Sequence, residues 1–260
     1  MTSQINKATE FKNLHIKGSP IIIYNAWDAG SAKSIAKAGA KAIATGDHPV
    51  GFAHGFGDDD FTDFTFDMYL VTIKEIAKRV GNLPLSIDIN NANELVGSAL
   101  MDRVKTVIDA GAVGINFEDS FTDGSGVQTI DEQVDRIKTI RIAADELSVP
   151  LFINARTDIF AQSDPVHHKK HLDEAVERAA AFKNAGADGF FVPGLLDLKL
   201  IKKLVESVEL PVNIIKFPGS PTTKELAEVG VSRISYGPVP QIAMSNWLVD
   251  QAMKAIRGEI

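Results

Sequence analysis

The sequence predicts an α/β fold of the (β/α)8 TIM-type barrel kind, one domain spanning residues 1–260. Three observations lead there. Four times a helical stretch closes on glycine and runs straight into a short apolar strand: AKAGAKAIAT (residues 36–45), IDAGAVGINF (108–117), KNAGADGFFV (183–192) and AEVGVSRISY (227–236). Glycine supplies the left-handed cap that ends a helix, and the strand follows within two or three residues. Four further apolar runs, at residues 20–24, 85–89, 150–153 and 211–215, bring the strands to eight. Strands and helices alternate with no linker or composition break, as eight βα units of a closed barrel require.

In chain order, IIIY (21–24) opens the sheet and IAT (43–45) is its second strand. An amphipathic stretch at 66–80 precedes LSIDIN (85–90), and a second at 94–110 precedes VGINFED (113–119). The stretch at 130–146 leads to the fifth strand, that at 171–185 to the sixth, and 240–257 closes the chain as a last helix. A doubly wound open sheet fits less well. No strand is followed by G-x-G-x-x-G, and the glycines of VGFAHGFG (50–57) are wrongly spaced for that dinucleotide fingerprint.

Composition narrows the function. A formal charge of −7 and a pI near 5.4 disfavour nucleic acid, which needs a basic face. With no cysteine, disulfides, zinc–thiolate sites and thiol nucleophiles are excluded. No apolar run approaches the roughly 20 residues of a membrane helix. A cytoplasmic enzyme is the expectation, with a small-molecule substrate and neither nucleic acid nor membrane as partner.

Barrel enzymes carry their chemistry at the C-terminal ends of the strands. Those ends read Asn25, Trp27 and Asp28; Thr45, Gly46, Asp47 and His48; Asp88 and Asn90; Glu118 and Asp119; Asn154, Arg156 and Asp158. Alternation along a strand puts Asp88 with Asn90, Asn116 with Glu118, and Asn154 with Arg156 on barrel-facing sides. Neighbouring strands then bring Asp88 and Glu118 to one mouth, where carboxylates repel unless a cation or a proton neutralises them. The planar fork of Arg156 suits capture of a carboxylate. His48 is a candidate general acid/base because histidine titrates near neutrality. An all-oxygen donor set favours Mg²⁺ or Mn²⁺.

At these residues the chain resembles the isocitrate lyase/phosphoenolpyruvate mutase superfamily over nearly its whole length. The carrying motifs are YNAWDAGSA (24–32), AIATGDHPVGFAHGFGDDD (42–60), SIDINNAN (86–93), VGINFEDS (113–120), INARTDIF (153–160), GADGFFVPG (186–194) and IIKFPGSPTTKELAEVGVSRISYGP (214–238). The resemblance implies a barrel whose last helix is often exchanged between partners, in homodimers or homotetramers. It also implies a Mg²⁺-dependent site for 2-oxo or 2-hydroxy acids, working through a metal-held enolate. Asp88 and Glu118 become the metal-site acids, with Asn90 where a further acid is usual. The Thr45 and Gly46 amides would hold the substrate carboxylate, and Arg156 the oxo-acid or the enolate charge. Asp58 matches an acid near the second-strand loop, Trp27 and Asp28 match the first-strand motif, and Asn154 joins the substrate-binding set.

The departures shape the functional expectation. The family's third strand continues as acid–x–acid–x–Gly–Tyr–Gly, whereas this chain reads Asp88-Ile-Asn90-Asn91-Ala92-Asn93. The Lys-x-Cys-Gly-His gating loop of the lyases and the Lys-Thr-Asn-Ser loop of the mutases are both replaced by SFTDGSGVQTIDEQ (120–133). Asp47 and His48 stand where small residues are usual. Cleavage by a thiol-bearing loop and phosphonopyruvate formation are therefore disfavoured. The leading expectation is a Mg²⁺-dependent C–C bond lyase or decarboxylase for a small 2-oxo or 2-hydroxy dicarboxylic acid, with Asp47, His48, Asp58 and Arg156 as its catalytic residues. The alternatives are a barrel that binds oxo-acids without turnover and a P–C bond hydrolase.

Overall fold

A computed structural model describes residues 3–57 and 60–260; Asp58, one of the expected catalytic residues, lies outside them. The chain opens with helix α1 (Gln4–Asn13), then alternates β1 (Ile21–Ile23), α2 (Ala29–Lys37), β2 (Ile43–Thr45), α3 (Asp47–Ala53) and α4 (Phe66–Arg79). Next come β3 (Leu85–Asp88), α5 (Gly97–Asp109), β4 (Gly114–Glu118), α6 (Ile130–Glu146), β5 (Phe152–Arg156) and α7 (Leu172–Ala185). The remainder is β6 (Gly189–Phe191), α8 (Leu198–Ser207), β7 (Val212–Ile215), α9 (Thr223–Glu228), β8 (Arg233–Ser235) and α10 (Val239–Ile256).

All eight strands are parallel, in the order β1-β8-β7-β6-β5-β4-β3-β2. The ring closes where Ala26 bridges Thr45, with the Ala26 amide donating to the Ala44 carbonyl at 2.8 Å. The (β/α)8 barrel predicted from the glycine punctuation is the observed fold. Gly186, with φ +109°, is such a cap: its αL backbone ends α7 three residues before β6.

Register stacks the interior in layers, as closed barrels do. Ser86, Gly114 and Phe152 share the bottom layer; Asp88, Asn116 and Asn154 share the middle one; Glu118 and Arg156 face each other at the top. Inward positions are thus mixed below and polar above. The outward alternates, such as Ile87, Ile115, Phe117, Ile153 and Ala155, are buried beneath the helices.

Helix α1 was not foreseen, because QINKATEFKN is polar on most sides. Ser3 caps it, accepting from the Asn6 amide, and only Ala8 and Phe11 are buried. Those two suffice to plug the barrel's lower end. Phe11 meets Phe152 edge-on with ring centroids 5.4 Å apart, and His15 stacks on Phe152 at 4.0 Å. Gly114 makes the fit possible: a Cβ there would come within 2.6 Å of the Phe11 ring. Burial, with help from the Arg233 charge, pushes His15 down to about 3, so the plug carries no charge at neutral pH.

Two boundaries also differ from the sequence reading. The helix expected from residue 94 starts at Gly97, because residues 92–94 form a separate turn. Residues 47–53, read as a strand tip and loop, form α3, with Asp47 in its first turn.

Emptying the plug should show how much of the barrel's stability it carries. Phe11→Ala is expected to lower unfolding free energy by about 3–5 kcal/mol, read as a fall in the denaturant midpoint at unchanged slope. A loss below about 1 kcal/mol would mean the lower end is closed by something other than this ring.

Candidate active site

A cavity of about 630 Å³ opens at the C-terminal mouth, and Asp47, His48, Asp88, Asn90 and Glu118 all line it. They arrive from the tips of three neighbouring strands, β2, β3 and β4, or from the turns after them. Asp88 ends β3: its Oδ1 accepts from the Asn90 backbone amide at 2.9 Å, and its Oδ2 accepts from the Asn116 side-chain amide at 3.1 Å. Glu118 ends β4, and its Oε1 accepts from the Ser120 hydroxyl at 2.6 Å. Its Oε2 stands 2.6 Å from Arg156 Nη1 as an ion pair, yet this buried oxygen has no aligned hydrogen-bond donor.

Arg156 is held from two sides. Nε and Nη2 form a fork onto Asp158 at 2.6 and 2.7 Å, while Nη1 faces Glu118. Asp47 sits at the opposite rim. It accepts from the His48 amide at 2.7 Å, from the His48 ring Nδ1 at 3.0 Å, and from the Asn90 side-chain amide. The His48 ring stacks on Phe61 with centroids 4.5 Å apart, which fixes its plane.

These environments move the protonation equilibria. Burial pushes Asp88 up; the Arg156 charge opposes it and the Asp47 charge adds to it. Burial likewise carries Glu118 up to about 7 against the pull of Arg156. Arg156 loses solvation, but Glu118 and Asp158 more than compensate, so it stays cationic. Burial would raise Asp47, yet the hydrogen bond and charge of His48 and the Asn90 amide leave it below the usual carboxylate range. His48 is raised, chiefly by its bond to Asp47. Each member of the pair thus favours its charged form in the other's presence, while Asp88 and Glu118 hold protons more readily than free acids.

The loop after β3 is strained. Asn90, Ala92, Asn93 and Glu94 all have positive φ, between 50° and 57°. Non-glycine residues there cost on the order of 1–3 kcal/mol each unless their surroundings impose the conformation. The surroundings do so. Arg136 donates to the Asn91 carbonyl, the Asn91 side chain donates to Ser120 O and Thr122 Oγ1 at 2.9 Å each, and Glu94 accepts from the Thr122 amide at 2.8 Å. The β3 and β4 loops are thus latched together beside the cavity.

Other residues fall elsewhere than the sequence suggested. Trp27 and Asp28 do not reach the mouth. They line a separate cavity of about 790 Å³ beside β1 and α2, where Asp28 caps α2 by accepting from the Ser31 amide at 2.6 Å. Asn154 is committed below the mouth, its amide donating to Asn116 at 2.9 Å and Asn213 at 3.0 Å. It positions Asn116, and through it Asp88, rather than lining the cavity. Thr45 is buried beside Tyr69, and Gly46 packs near the Asp88 Cβ as the N-cap of α3. Asp119, one residue beyond Glu118, points outward and pairs with Arg178 at 3.0 Å. The sequence reading missed the aromatic wall of Phe61, Phe64 and Phe66, with Tyr69 and Arg103 beside it. The run FTDFTF (61–66), three phenylalanines in six residues, was its available signal.

Among the described residues no three acidic or histidine side chains converge on one metal position. The donors nonetheless suit a hard cation that keeps much of its water. Asp88, Glu118, Asp47 and the Asn90 carbonyl supply only oxygen, and Glu118 Oε2, ion-paired with Arg156, accepts no aligned hydrogen bond.

The family model for phosphoenolpyruvate phosphomutase matches residues 11–257. The chain belongs to the isocitrate lyase/phosphoenolpyruvate mutase superfamily. It is 30% identical over 261 residues to the 2-methylisocitrate lyase of Escherichia coli K12, covering 96% of this chain and 84% of that one. A solved structure of a candidate phosphonomutase from Burkholderia cenocepacia J2315 superposes with a TM-score of 0.92 at 37% identity, covering 97% of this chain and 100% of the other. A phosphonopyruvate hydrolase solved with oxalate and Mg²⁺ shares the fold, with a TM-score of 0.83 at 20% identity over 97% of this chain and 88% of that one. The superfamily comprises enzymes, and the curated relative is a lyase.

The burial of Glu118 gives a signed pH effect. Its folded value of about 7 lies above the model-compound 4.5, so the folded state binds the proton more tightly. That contribution is fully present below pH 4.5 and is lost as pH rises through 7. Glu118→Gln should therefore stabilise the metal-free protein at pH 8 relative to wild type, by up to about 3 kcal/mol, with little difference at pH 4.5. Parallel thermal melts at the two pH values check this. Equal melting shifts at both would show that Glu118 ionises freely.

Proposed function

We propose that the chain is a Mg²⁺-assisted C–C bond lyase or decarboxylase for a small 2-oxo or 2-hydroxy dicarboxylic acid. The observation that carries this is one cavity holding Asp88 and Glu118, both pushed up by burial, opposite the His48–Asp47 pair. The 2-methylisocitrate lyase relative and the oxalate-bound hydrolase point to the same kind of ligand.

Asp88 and Glu118, with the Asn90 carbonyl, would hold Mg²⁺ or Mn²⁺; the bound ion would supply positive charge for the substrate's carboxylate and neighbouring oxygen. Arg156 keeps Glu118 oriented and lends charge to that side of the cavity. Nδ1 of His48 is engaged by Asp47, which leaves Nε2 for the cavity. When the C–C bond breaks and its electron pair stays with the substrate, His48 Nε2 would deliver the proton to the carbon that keeps the pair. Phe61 holds the ring for that transfer and excludes water from one of its faces.

A second reading, binding without turnover, draws on Asn90. Its amide donates to Asp47, so the mouth has a neutral group where relatives carry an acid. Thermal shift with oxalate, with and without Mg²⁺, followed by pyruvate and CO₂ release from a panel of 2-oxo and 2-hydroxy dicarboxylates, separates the two. The lyase reading expects Mg²⁺-dependent stabilisation by oxalate of several degrees, and turnover that His48→Ala lowers about 10²-fold or more. Oxalate binding without turnover of any acid would leave the binding-only barrel, and phosphate release from phosphonopyruvate would mark a P–C hydrolase.

We also propose that the chain works as a homodimer or higher homo-oligomer that exchanges α10. On the outer side of β1, Ile22 and Tyr24 are 38% and 44% exposed where a barrel strand is normally covered by a helix. Meanwhile α10 leans on α3 and leaves Trp247 and Leu248 58% and 60% exposed. A second copy's α10 on the groove beside β1 and α2 would bury both apolar faces. Light scattering should give at least a dimer, and Trp247→Glu should shift it towards monomer. A wild-type monomer at micromolar concentration would refute the exchange.

A further inference from the structure

The mouth cavity is larger than a short oxo-acid needs. About 630 Å³ lies within the roughly 300–1,000 Å³ typical of drug-sized ligands. Its acidic end, at Asp88 and Glu118, would take only the oxo-acid head. The remaining wall has a different chemistry. Phe61 and Phe64 lie on the segment between α3 and α4, in ring contact at 5.7 Å, and Phe66 opens α4.

Arg103 of α5 completes this wall. Its guanidinium sits over the Phe66 ring, with Cζ 3.6 Å from the centroid, and the ring face takes none of its N–H groups as a hydrogen-bond partner. Arg103 is half-buried and lines the cavity. Among the described residues it forms no ion pair or hydrogen bond, in contrast to Arg136, Arg156 and Arg178, whose nitrogens are all engaged. The acid whose charge acts on it is Asp67, which forms no ion pair with it. A planar donor fork, pre-oriented by stacking and already partly desolvated, is a carboxylate receptor.

We propose that Arg103 determines specificity by binding a second carboxylate at the far end of the substrate, beyond an apolar midsection that packs on Phe61, Phe64 and Phe66. This rests on the oxo-acid reading and sharpens it: the preferred ligands are extended diacids rather than pyruvate-sized ones. The aromatic wall contributes apolar contact along the chain, and Arg103 sets which chain length has its terminal carboxylate in reach.

Calorimetric titration of the Mg²⁺-loaded full chain tests this with three pairs of ligands. Each pair matches a diacid to a monoacid of equal length: 2-oxoglutarate with 2-oxopentanoate, 2-oxoadipate with 2-oxohexanoate, and 2-oxopimelate with 2-oxoheptanoate. At one length or more the diacid should bind at least tenfold more tightly than its monoacid. Arg103→Gln should collapse that ratio towards one, and Arg103→Lys should restore part of it. Because the readout is a ratio within one variant, a general loss of stability does not mimic it. No diacid preference at any length, or a preference that persists in Arg103→Gln, overturns the proposal. Oxalate titrated into the wild type tells the two failures apart. If oxalate binds and the ratios are flat, only the Arg103 role falls; if oxalate does not bind, the oxo-acid reading falls and takes this one with it.

Discussion

Charge imbalance at the barrel mouth is the constraint around which the rest is arranged. Asp47, Asp88, Glu118 and Asp158 meet the Arg156 guanidinium and the His48 ring, four carboxyl groups against one permanent cation and one titratable one. In a site this buried, uncompensated carboxylates are costly, and a cation or bound protons must make up the difference. Burial is the largest cause of the upward shifts of Asp88 and Glu118, and neighbouring carboxylates add to both. The fork of Arg156 is what makes it tolerable, because one planar group neutralises Asp158 and steadies Glu118 together. The deficit that remains suits a doubly charged cation drawn in with an anionic substrate.

Beneath the mouth, orientation is handled by neutral groups. Asn116 donates to Asp88 and accepts from Asn154; Asn154 donates to Asn213 as well; Asn213 donates to Ser235. Amides can donate and accept at once, so this ladder fixes Asp88 without adding charge to a dry interior. Arg233 is the exception. It is fully buried, reaches Asn116 at 3.3 Å, and leaves Nε and Nη1 without partners. Its desolvation pushes it down to about 10, while the Asp88 charge holds it up. The positive group at the base and the acid at the mouth thus stabilise each other through the barrel axis.

The sequence made the strands legible because barrel strands are short apolar runs with strong punctuation, and Gly186 shows the device at work between α7 and β6. The alternation also held where strands are regular: Asp88, Asn116, Glu118, Asn154 and Arg156 all face inward. It failed where the backbone leaves the strand. Asp47 and His48 belong to a helix, and Asn90 has φ 50°, so their approach to one another was invisible to a period of two. Trp27 and Asp28 follow strand one closely, yet an Asp with Ser three residues on is a capping box, and both line a cavity apart from the mouth. Helix α1 was hidden because its two buried residues give too little periodicity. Arg103 was hidden because nothing local marks which face of α5 meets a cavity.

Asn90 and Asp47, set apart at the mouth by the sequence, depend on each other. The structure brings these residues into direct contact, with the Asn90 amide donating to the Asp47 carboxylate. An acid at 90 would sit against Asp47 with no donor between them, and each would raise the other's affinity for a proton. Asparagine reverses the sign of that contact and helps keep Asp47 ionised. The negative charge at the second strand's tip is thereby kept beside His48, which follows it in sequence and binds its proton more tightly for that contact. The neutral Asn90 spares the mouth one more carboxylate, and a proton-holding ring stands on the cavity rim.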